Sequence, residues 1–166
     1  MLQGQHNAVA KQAADHIRRK YLAELQAKTG RNVIAYYSGF LSKPSVFGIE
    51  INDEDKNGFM MAVHRLDRSK GLDLILHTPG GSVAATESIV NYLQTMFQKN
   101  IRAIVPQLAM SGGTMIACSC RSIVMGEHSC LGPIDPLLRG LPAVGVIEEF
   151  ETAFQEIIND QRKALI

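Results

Sequence analysis

The sequence has little cysteine, no excess of charge of either sign and no long apolar run. Its 3 cysteines exclude a disulfide framework, and an odd number favours a reducing compartment. The 17 basic residues are balanced by 16 acidic ones, which argues against a nucleic-acid-binding surface or an acidic tail. The longest uncharged stretch, residues 103–120, contains proline, glycine, serine and threonine, so it is a poor membrane span.

The start of the chain also lacks the pattern of a signal peptide, because no apolar stretch follows residues 1–6. A hydrophobic content of 46% in 166 residues is enough to bury a proper core. We therefore expect a single domain over residues 1–166 in the cytoplasm. Any association with a membrane would come from a membrane-protein substrate or partner.

Charge is distributed unevenly between the two ends. Residues 1–31 carry six basic and two acidic side chains, a net of +4, and residues 148–163 carry five acidic and two basic ones, a net of −3. Two solvated helix faces would explain this pattern, and so would docking of the two ends within one chain or between subunits.

Strand patterns alternate with helix patterns along the chain, which predicts an α/β fold. The apolar residues of the first helix recur at helical spacing and end before Gly30. Helices between successive strands imply right-handed crossovers and a mostly parallel sheet. The predicted strands are residues 32–38, 72–76, 101–106 and 122–126, and the predicted helices are residues 7–29, 53–66 with Asp53 as the cap, 82–97, 114–120 and 146–163.

Two glycine-bearing turns each follow a strand and open a helix. The first contains Gly80 and Gly81, whose lack of a Cβ lets substrate approach the backbone N–H groups. Such a turn lies at the carboxyl end of a strand and can bind a phosphate or form an oxyanion hole, or it can be a plain connection.

The second turn reads AMSGG, at residues 109–113, and resembles an elbow that presents a serine hydroxyl outward. The N–H of Gly112 could then help to hold an oxyanion. Ser111 could instead simply cap the helix that follows.

Three segments together resemble the Clp-protease/crotonase superfamily: HTPGGSVAATESI, AMSGGTMIACSC and SIVMGEHSCLGPIDP. Within it the chain looks most like the serine dehydrogenase proteinase family, relatives of signal peptide peptidase A. The resemblance implies a Clp/crotonase-like fold of repeated βαβ units and a serine peptidase acting on peptides or proteins. It also implies Ser111 as nucleophile, the amides of Gly81 and Gly112 as the oxyanion hole, and association into rings or stacks.

The general base is not evident from the motifs. Clp-type subunits place a histidine about 25 residues after the nucleophile, where this chain has none, and His128 with Asp135 is a poor substitute. The signal-peptide-peptidase relatives use a lysine, and Lys163 is the one lysine after Ser111. We predict a Ser111–Lys163 dyad, although Lys163 needs burial or a neighbouring cation to lower its pKa, and the chain looks short at its C-terminal end compared with the family.

No cofactor or metal is expected. The spacing of Cys118, Cys120, His128 and Cys130 matches no common zinc site. His77, beside the first glycine turn, could line the cleft without a role in proton transfer.

Two other functions stay open. The same fold serves acyl-CoA enzymes, although a serine in the second turn argues against that chemistry. A non-catalytic assembly module would explain the missing histidine and the short end. In every case we expect a homo-oligomer with the C-terminal helix, residues 146–166, in or near the interface. This expectation rests on the apolar residues that are predicted to point inward from that helix, which are Ile147, Phe150, Phe154, Ile157 and Ile158.

Overall fold

A computed structural model describes residues 2–43, 45–135, 137–138 and 141–163, with side chains for residues 13–43, 45–135 and 142–158. It divides into two compact units, Met1–Gly132 and Pro133–Ile166, so a single domain stays a prediction. The helices are α1 (Leu2–Thr29), α2 (Asp53–Val63), α3 (Val83–Phe97), α4 (Gly112–Ser119) and α5 (Ala143–Lys163); the strands are β1 (Asn32–Tyr37), β2 (Leu72–His77), β3 (Ile101–Val105), β4 (Leu108–Ala109), β5 (Ser122–Met125), β6 (Cys130–Leu131), β7 (Leu137–Leu138) and β8 (Leu141–Pro142).

The main sheet has four parallel strands in the order β1-β2-β3-β5. This confirms the predicted α/β class and all four predicted strands to within about a residue. A parallel sheet needs a crossover between neighbouring strands, and α2, α3 and α4 lie in those connections. The carboxyl ends of the strands therefore meet at one edge, where the two glycine turns lie.

Local signals start the helices, with one correction to the sequence prediction. Asn52, rather than Asp53, caps α2: its side chain accepts from Glu54 N–H, while the Asp55 carboxylate accepts from Asn52 N–H at 2.9 Å. Asp53 is the first helical residue, where its charge favours the positive end of the helix. Ser82, which was predicted as the first residue of a helix, caps α3 by accepting from Ala85 N–H.

One face of the sheet is apolar and the other carries a buried ion pair. Leu72, Leu74 and Leu76 are completely buried in a core with the apolar side chains of α2, α3 and α4. The intervening Asp73 is also completely buried, and it accepts from Arg31 Nε at 2.6 Å and from Arg102 Nη2 at 2.5 Å. These contacts connect the residue before β1, strand β2 and strand β3 at the N-terminal end of the sheet.

A second, smaller set of strand pairs crosses the carboxyl edge of the main sheet. Thr78, just beyond β2, forms a parallel bridge with Ala109 of β4, and β4 pairs with β6. On the other side, Ile51 forms a parallel bridge with Gly81. These short pairings were not predicted, and they fix the two glycine turns beside each other.

The second unit contains the β7–β8 hairpin and α5. The helix begins a little before the predicted residue 146 and extends to Lys163. The prediction that its apolar residues point inward is wrong for Ile147, Phe150, Phe154 and Ile157, which are exposed. None of the helices in the described part of the chain is long and apolar enough to span a membrane.

Candidate active site

Ser111 adopts a strained backbone conformation between β4 and α4. Its φ of +50° and ψ of −114° lie outside the regions that residues with a side chain normally occupy. Such a conformation costs about 1–3 kcal/mol and persists only where the surrounding structure imposes it. The side chain is half-buried and makes no capping hydrogen bond to α4, although Ser111 is in the capping position. The simple helix-cap interpretation of this serine is therefore wrong.

Gly80 lies directly against Ser111. A Cβ atom on Gly80 would be 2.6 Å from Ser111 Cβ, closer than atoms can pack, and 3.0 Å from the backbone nitrogen of Gly112, which is a tight contact. Gly80 also has a φ of +95°, which favours glycine. The two glycine turns, about thirty residues apart in sequence, are thus in contact at the serine.

Backbone hydrogen bonds hold the first turn from both sides. Ile51 N–H donates to Gly80 C=O at 2.8 Å, and Ser82 N–H donates to Ile51 C=O at 2.9 Å. Across the turn, Thr78 N–H donates to Leu108 C=O at 3.1 Å. A side chain on Gly81 would overlap the Ile51 backbone. Ile51 was missed from sequence because one apolar residue before a helix cap gives no sign that it pairs with a distant turn.

Two backbone donors remain free beside Ser111. Within the described part of the chain, neither Gly81 N–H nor Gly112 N–H has a hydrogen-bond acceptor. Gly112 N–H is at the N-terminus of α4, where the helix dipole favours negative charge. Free donors that flank a nucleophile can hold the oxyanion of a tetrahedral intermediate. The geometry is compatible with the predicted roles of Gly81 and Gly112.

Thr114 connects the first turn of α4 to the segment that follows β6. Its Oγ1 is 2.7 Å from Ala109 C=O and 2.9 Å from Gly132 C=O, and it accepts from Gly132 N–H at 3.0 Å. These contacts fix α4 relative to β4 and to the segment after β6. A threonine within a short helix carries no sequence signal for this role.

His77 is buried at the end of β2, two residues before Pro79 of the first turn. It stacks on Tyr37, with 5.0 Å between ring centroids, and contacts Phe40 at 5.1 Å. Burial lowers its pKa below the ordinary 6.5, and the Leu108 backbone partly offsets this. Its Nδ1 is buried with no hydrogen-bond partner among the described residues. The lowered pKa favours the neutral imidazole, and a place for His77 in the cleft stays a prediction.

Of the candidate bases, only His128 lies in the same unit as Ser111, and the described structure gives it no hydrogen bond to Ser111. His128 is exposed in the turn between β5 and β6, and Asp135 is exposed in the second unit. Lys163 is the last residue of α5, and its side chain lies outside the described part. The Ser111–Lys163 dyad therefore stays a prediction. Within the described residues there is also no cluster of three or more histidine, cysteine or acidic side chains that could hold a metal.

A strained serine between a strand and a helix, with free N–H groups beside it, is the arrangement that defines serine hydrolases with a nucleophile elbow. A family model described as the ClpP-like SDH-type serine proteinase matches residues 5–166. The chain belongs to this family, which confirms the resemblance seen in its motifs and the Clp-like fold.

Two relatives from Methanocaldococcus jannaschii are similar to the chain over most of its length. Uncharacterized protein MJ0137 is 37% identical over 148 residues, which are 87% of this chain and 51% of that protein. Uncharacterized protein MJ1495 is 32% identical over 138 residues, which are 80% of this chain and 46% of that protein. The chain thus spans about half the length of these relatives.

Proposed function

We propose that the chain is a serine peptidase domain with Ser111 as its nucleophile. Membership of a serine proteinase family supports the reaction class. The observation that carries the assignment of the residue is the strained backbone of Ser111, together with its uncapped side chain. A helix cap or an assembly module does not require this conformation, whereas a nucleophile that must project from a turn does.

In the proposed reaction, Ser111 Oγ attacks the carbonyl carbon of a peptide bond and transfers its proton to a base. The carbonyl oxygen becomes an oxyanion, which the N–H groups of Gly81 and Gly112 stabilise. The intermediate then collapses, the amine leaves with the proton from the base, and an acyl-serine forms. Water hydrolyses this ester by the same steps in reverse order. Oxyanion donors of this kind typically contribute about 10²–10³-fold each to kcat.

Lys163 is the base that we propose, as the family resemblance implies. A lysine can accept the serine proton only when it is neutral, so its pKa must be lowered by burial or by a neighbouring cation. Arg162 is the adjacent residue and is always charged, so it can contribute to this effect. The rest of the decrease in the Lys163 pKa would come from burial of its side chain by a neighbouring subunit or by residues that pack on the end of α5.

A fluorophosphonate probe tests the nucleophile, because it reacts with activated serines regardless of substrate preference. We expect wild-type protein to be labelled at Ser111, as located by peptide mass spectrometry, and Ser111→Ala to lose the label. Ser88→Ala is the matched control: Lys56 Nζ donates to Ser88 Oγ at 2.8 Å, so this is also a serine–lysine pair, but Ser88 lies in the interior of α3 and not at a strand-to-helix turn. Equal labelling of wild type and Ser111→Ala would contradict the proposal.

The same probe tests the base. Lys163→Ala and Lys163→Arg should both slow the labelling of Ser111 by about 10²–10⁴-fold, the usual contribution of a general base. An arginine cannot be neutral, so retention of the positive charge does not restore the rate. A normal labelling rate in Lys163→Arg would exclude Lys163 as the base and leave Ser111 as the nucleophile.

A further inference from the structure

We propose that the N-terminal edge of the main sheet docks on an anionic phospholipid surface. This edge, called the basic edge below, consists of the segments at the starts of the four strands, residues 28–31, 64–71, 98–102 and 119–121. These segments carry eight lysines and arginines and one acidic residue, a net of +7 in a chain whose overall net charge is +1. The inference does not depend on the proposed function.

Hydrogen bonds join the four segments into one surface. Arg31 donates to Leu72 C=O at 3.0 Å, at the start of β2, and to Asn100 Oδ1 at 2.9 Å, just before β3. Arg121 N–H, just before β5, donates to Ile101 C=O at 2.9 Å. Neighbouring strands are about 4.8 Å apart, so β1 and β5 are separated by roughly 14 Å. Cations at this spacing act together, because charges are screened over about 10 Å at 0.1 M salt.

Most of the cations of the basic edge are free to bind a ligand. Six of the eight are exposed and form no ion pair with the side chains that the structure describes. They are Lys28, Arg65, Arg68, Lys70, Lys99 and Arg121. The other two, Arg31 and Arg102, share the buried Asp73. Unpaired like charges repel one another, and an anionic surface would remove this repulsion.

The carboxyl edge of the same sheet has the opposite charge. The first turn of α2 carries three carboxylates, Asp53, Glu54 and Asp55. Glu50 and Glu127 are exposed in the loops that follow β1 and β5. Charge in the first unit is therefore separated along the strands, which the balanced composition conceals. Near an anionic surface this separation turns the basic edge towards the surface and the glycine turns away from it.

The chemistry of the basic edge fits lipid headgroups better than a nucleic acid. Its four segments contain no aromatic residue on which a base could stack. The helices α1, α2, α3 and α4 end near this edge and do not begin there, so their N-terminal N–H groups are not offered to a phosphate. Met61, in the last turn of α2 and four residues before Arg65, is 81% exposed. An apolar side chain among cations can enter the boundary between headgroups and acyl chains.

A pocket at the basic edge can accept one headgroup. It has a volume of about 340 Å³, within the usual range of ligand sites, and its lining includes Lys99 and Arg121. Gln98 and Lys99 have φ values of +50° and +63°, and Asn100 N–H closes their turn by donating to Phe97 C=O at 2.8 Å. Two cations in the wall of one pocket favour a phosphate there.

Flotation with lipid vesicles tests the surface in the wild-type chain. We expect binding at about 0.1 M salt to phosphatidylcholine vesicles with about 30 mol% phosphatidylserine, and none to phosphatidylcholine alone, since that membrane has no negative surface potential. Salt at about 1 M should release the protein, because the screening length falls to about 3 Å. Equal binding to both kinds of vesicle, or binding to neither, would overturn the proposal.

Charge-neutralising variants locate the surface. Lys99→Gln with Arg121→Gln should reduce the partition coefficient on the anionic vesicles by about 30-fold, which is about 5-fold for each cation lost near the surface. Lys43→Gln with Lys56→Gln is the matched control, because it removes the same charge from the carboxyl edge, where we expect a change of no more than about 2-fold. Urea unfolding should have the same midpoint in both pairs. An equal loss of binding in the two pairs would attribute it to net charge and overturn the basic edge.

A duplex DNA of about 20 base pairs separates a membrane from a nucleic acid as the ligand. We expect wild type to stay on the anionic vesicles when the duplex is added at an equal concentration of negative charge. Transfer of the protein to the duplex, or binding to the duplex without binding to the vesicles, would overturn the assignment to lipid.

Discussion

The backbone conformation of Ser111 depends on contacts that the folded structure makes around it, and the local sequence alone does not determine it. Gly80 packs against its Cβ, Thr114 anchors the next turn of helix, and Met110 N–H donates to Thr78 C=O at 3.0 Å. Each of these contacts comes from a residue whose position depends on the fold. A strained residue needs such constraints on several sides, since it would otherwise relax.

Gly80→Ala should abolish the labelling of Ser111 without unfolding the protein. The new Cβ would be 2.6 Å from Ser111 Cβ, so the serine or the turn must move, and misplacement by about 1 Å can cost 10²-fold in rate. Gly30→Ala is the control: its φ of +67° carries a similar backbone strain, but a Cβ there meets no atom within 4 Å. The measurements are the labelling rate and the free energy of unfolding in urea. Equal loss of labelling in both variants would show that strain, and not contact with Ser111, is responsible.

The residues themselves indicated the nucleophile, but the sequence could not give its geometry. AMSGG predicts a serine at a strand-to-helix turn, yet the same letters fit a helix cap. The distinction depends on φ and ψ at Ser111, which are set by the distant residues Gly80 and Thr78. Asn52 was missed as the cap of α2 for a simpler reason, because Asn and Asp are nearly equivalent in that position and stand side by side.

At the scale of elements, the ion pair at Asp73 connects three segments of the main sheet. Arg31 precedes β1, Asp73 is in β2, and Arg102 is its register partner in β3. Arg31 also donates to Asn100 Oδ1 at 2.9 Å. All of these contacts are at the edge of the sheet opposite to the glycine turns, so the network serves the fold.

Asp73→Ala should lower the free energy of unfolding by about 3–5 kcal/mol, since it leaves two arginines partly buried without their carboxylate. Asp15→Ala is the matched control. The Asp15–Arg18 pair has the same 2.6 Å distance, but its side chains are 45% and 63% exposed, so its loss should cost no more than about 1 kcal/mol. Urea unfolding at neutral pH measures both. Similar losses in the two variants would mean that burial does not determine the strength of this pair.

The elements that periodicity predicts are long ones. The four strands of the main sheet and the helices that connect them have enough residues to display an alternation or a helical stripe. β4 and β6 have two residues each, which is too short for any pattern, although they fix the elbow. The sequence patterns therefore predict the main sheet and its connecting helices, but they do not predict the short strand pairs that hold the two glycine turns together.

At the scale of the whole molecule, the apolar face of α5 supports self-association. Phe150 is 73% exposed, and Ile147, Phe154 and Ile157 are exposed on the same helix. We propose that the protein is a homo-oligomer in which this face is covered by a second copy. The basic N-terminal region and the acidic α5 favour contact between different copies.

Phe150→Asp with Phe154→Asp should lower the mass measured by light scattering at micromolar concentration to that of a smaller species. Charges on an apolar interface remove the gain from burial and add a cost of desolvation. Gln155→Asp, on the same helix, adds a charge without removing an apolar residue and should leave the mass unchanged. A monomer in wild type, or an unchanged mass in the double variant, would contradict this interface.

The order in which the site is assembled has a consequence for synthesis. The turn at Gly81 needs Ile51 on one side and Ala109 on the other, and β4 in turn pairs with β6 at residues 130–131. A ribosome-bound chain that has exposed Ser111 but not yet residue 131 lacks the last of these supports, so it cannot maintain the serine's strained backbone. We therefore expect Ser111 to adopt this conformation only after β6 has paired with β4.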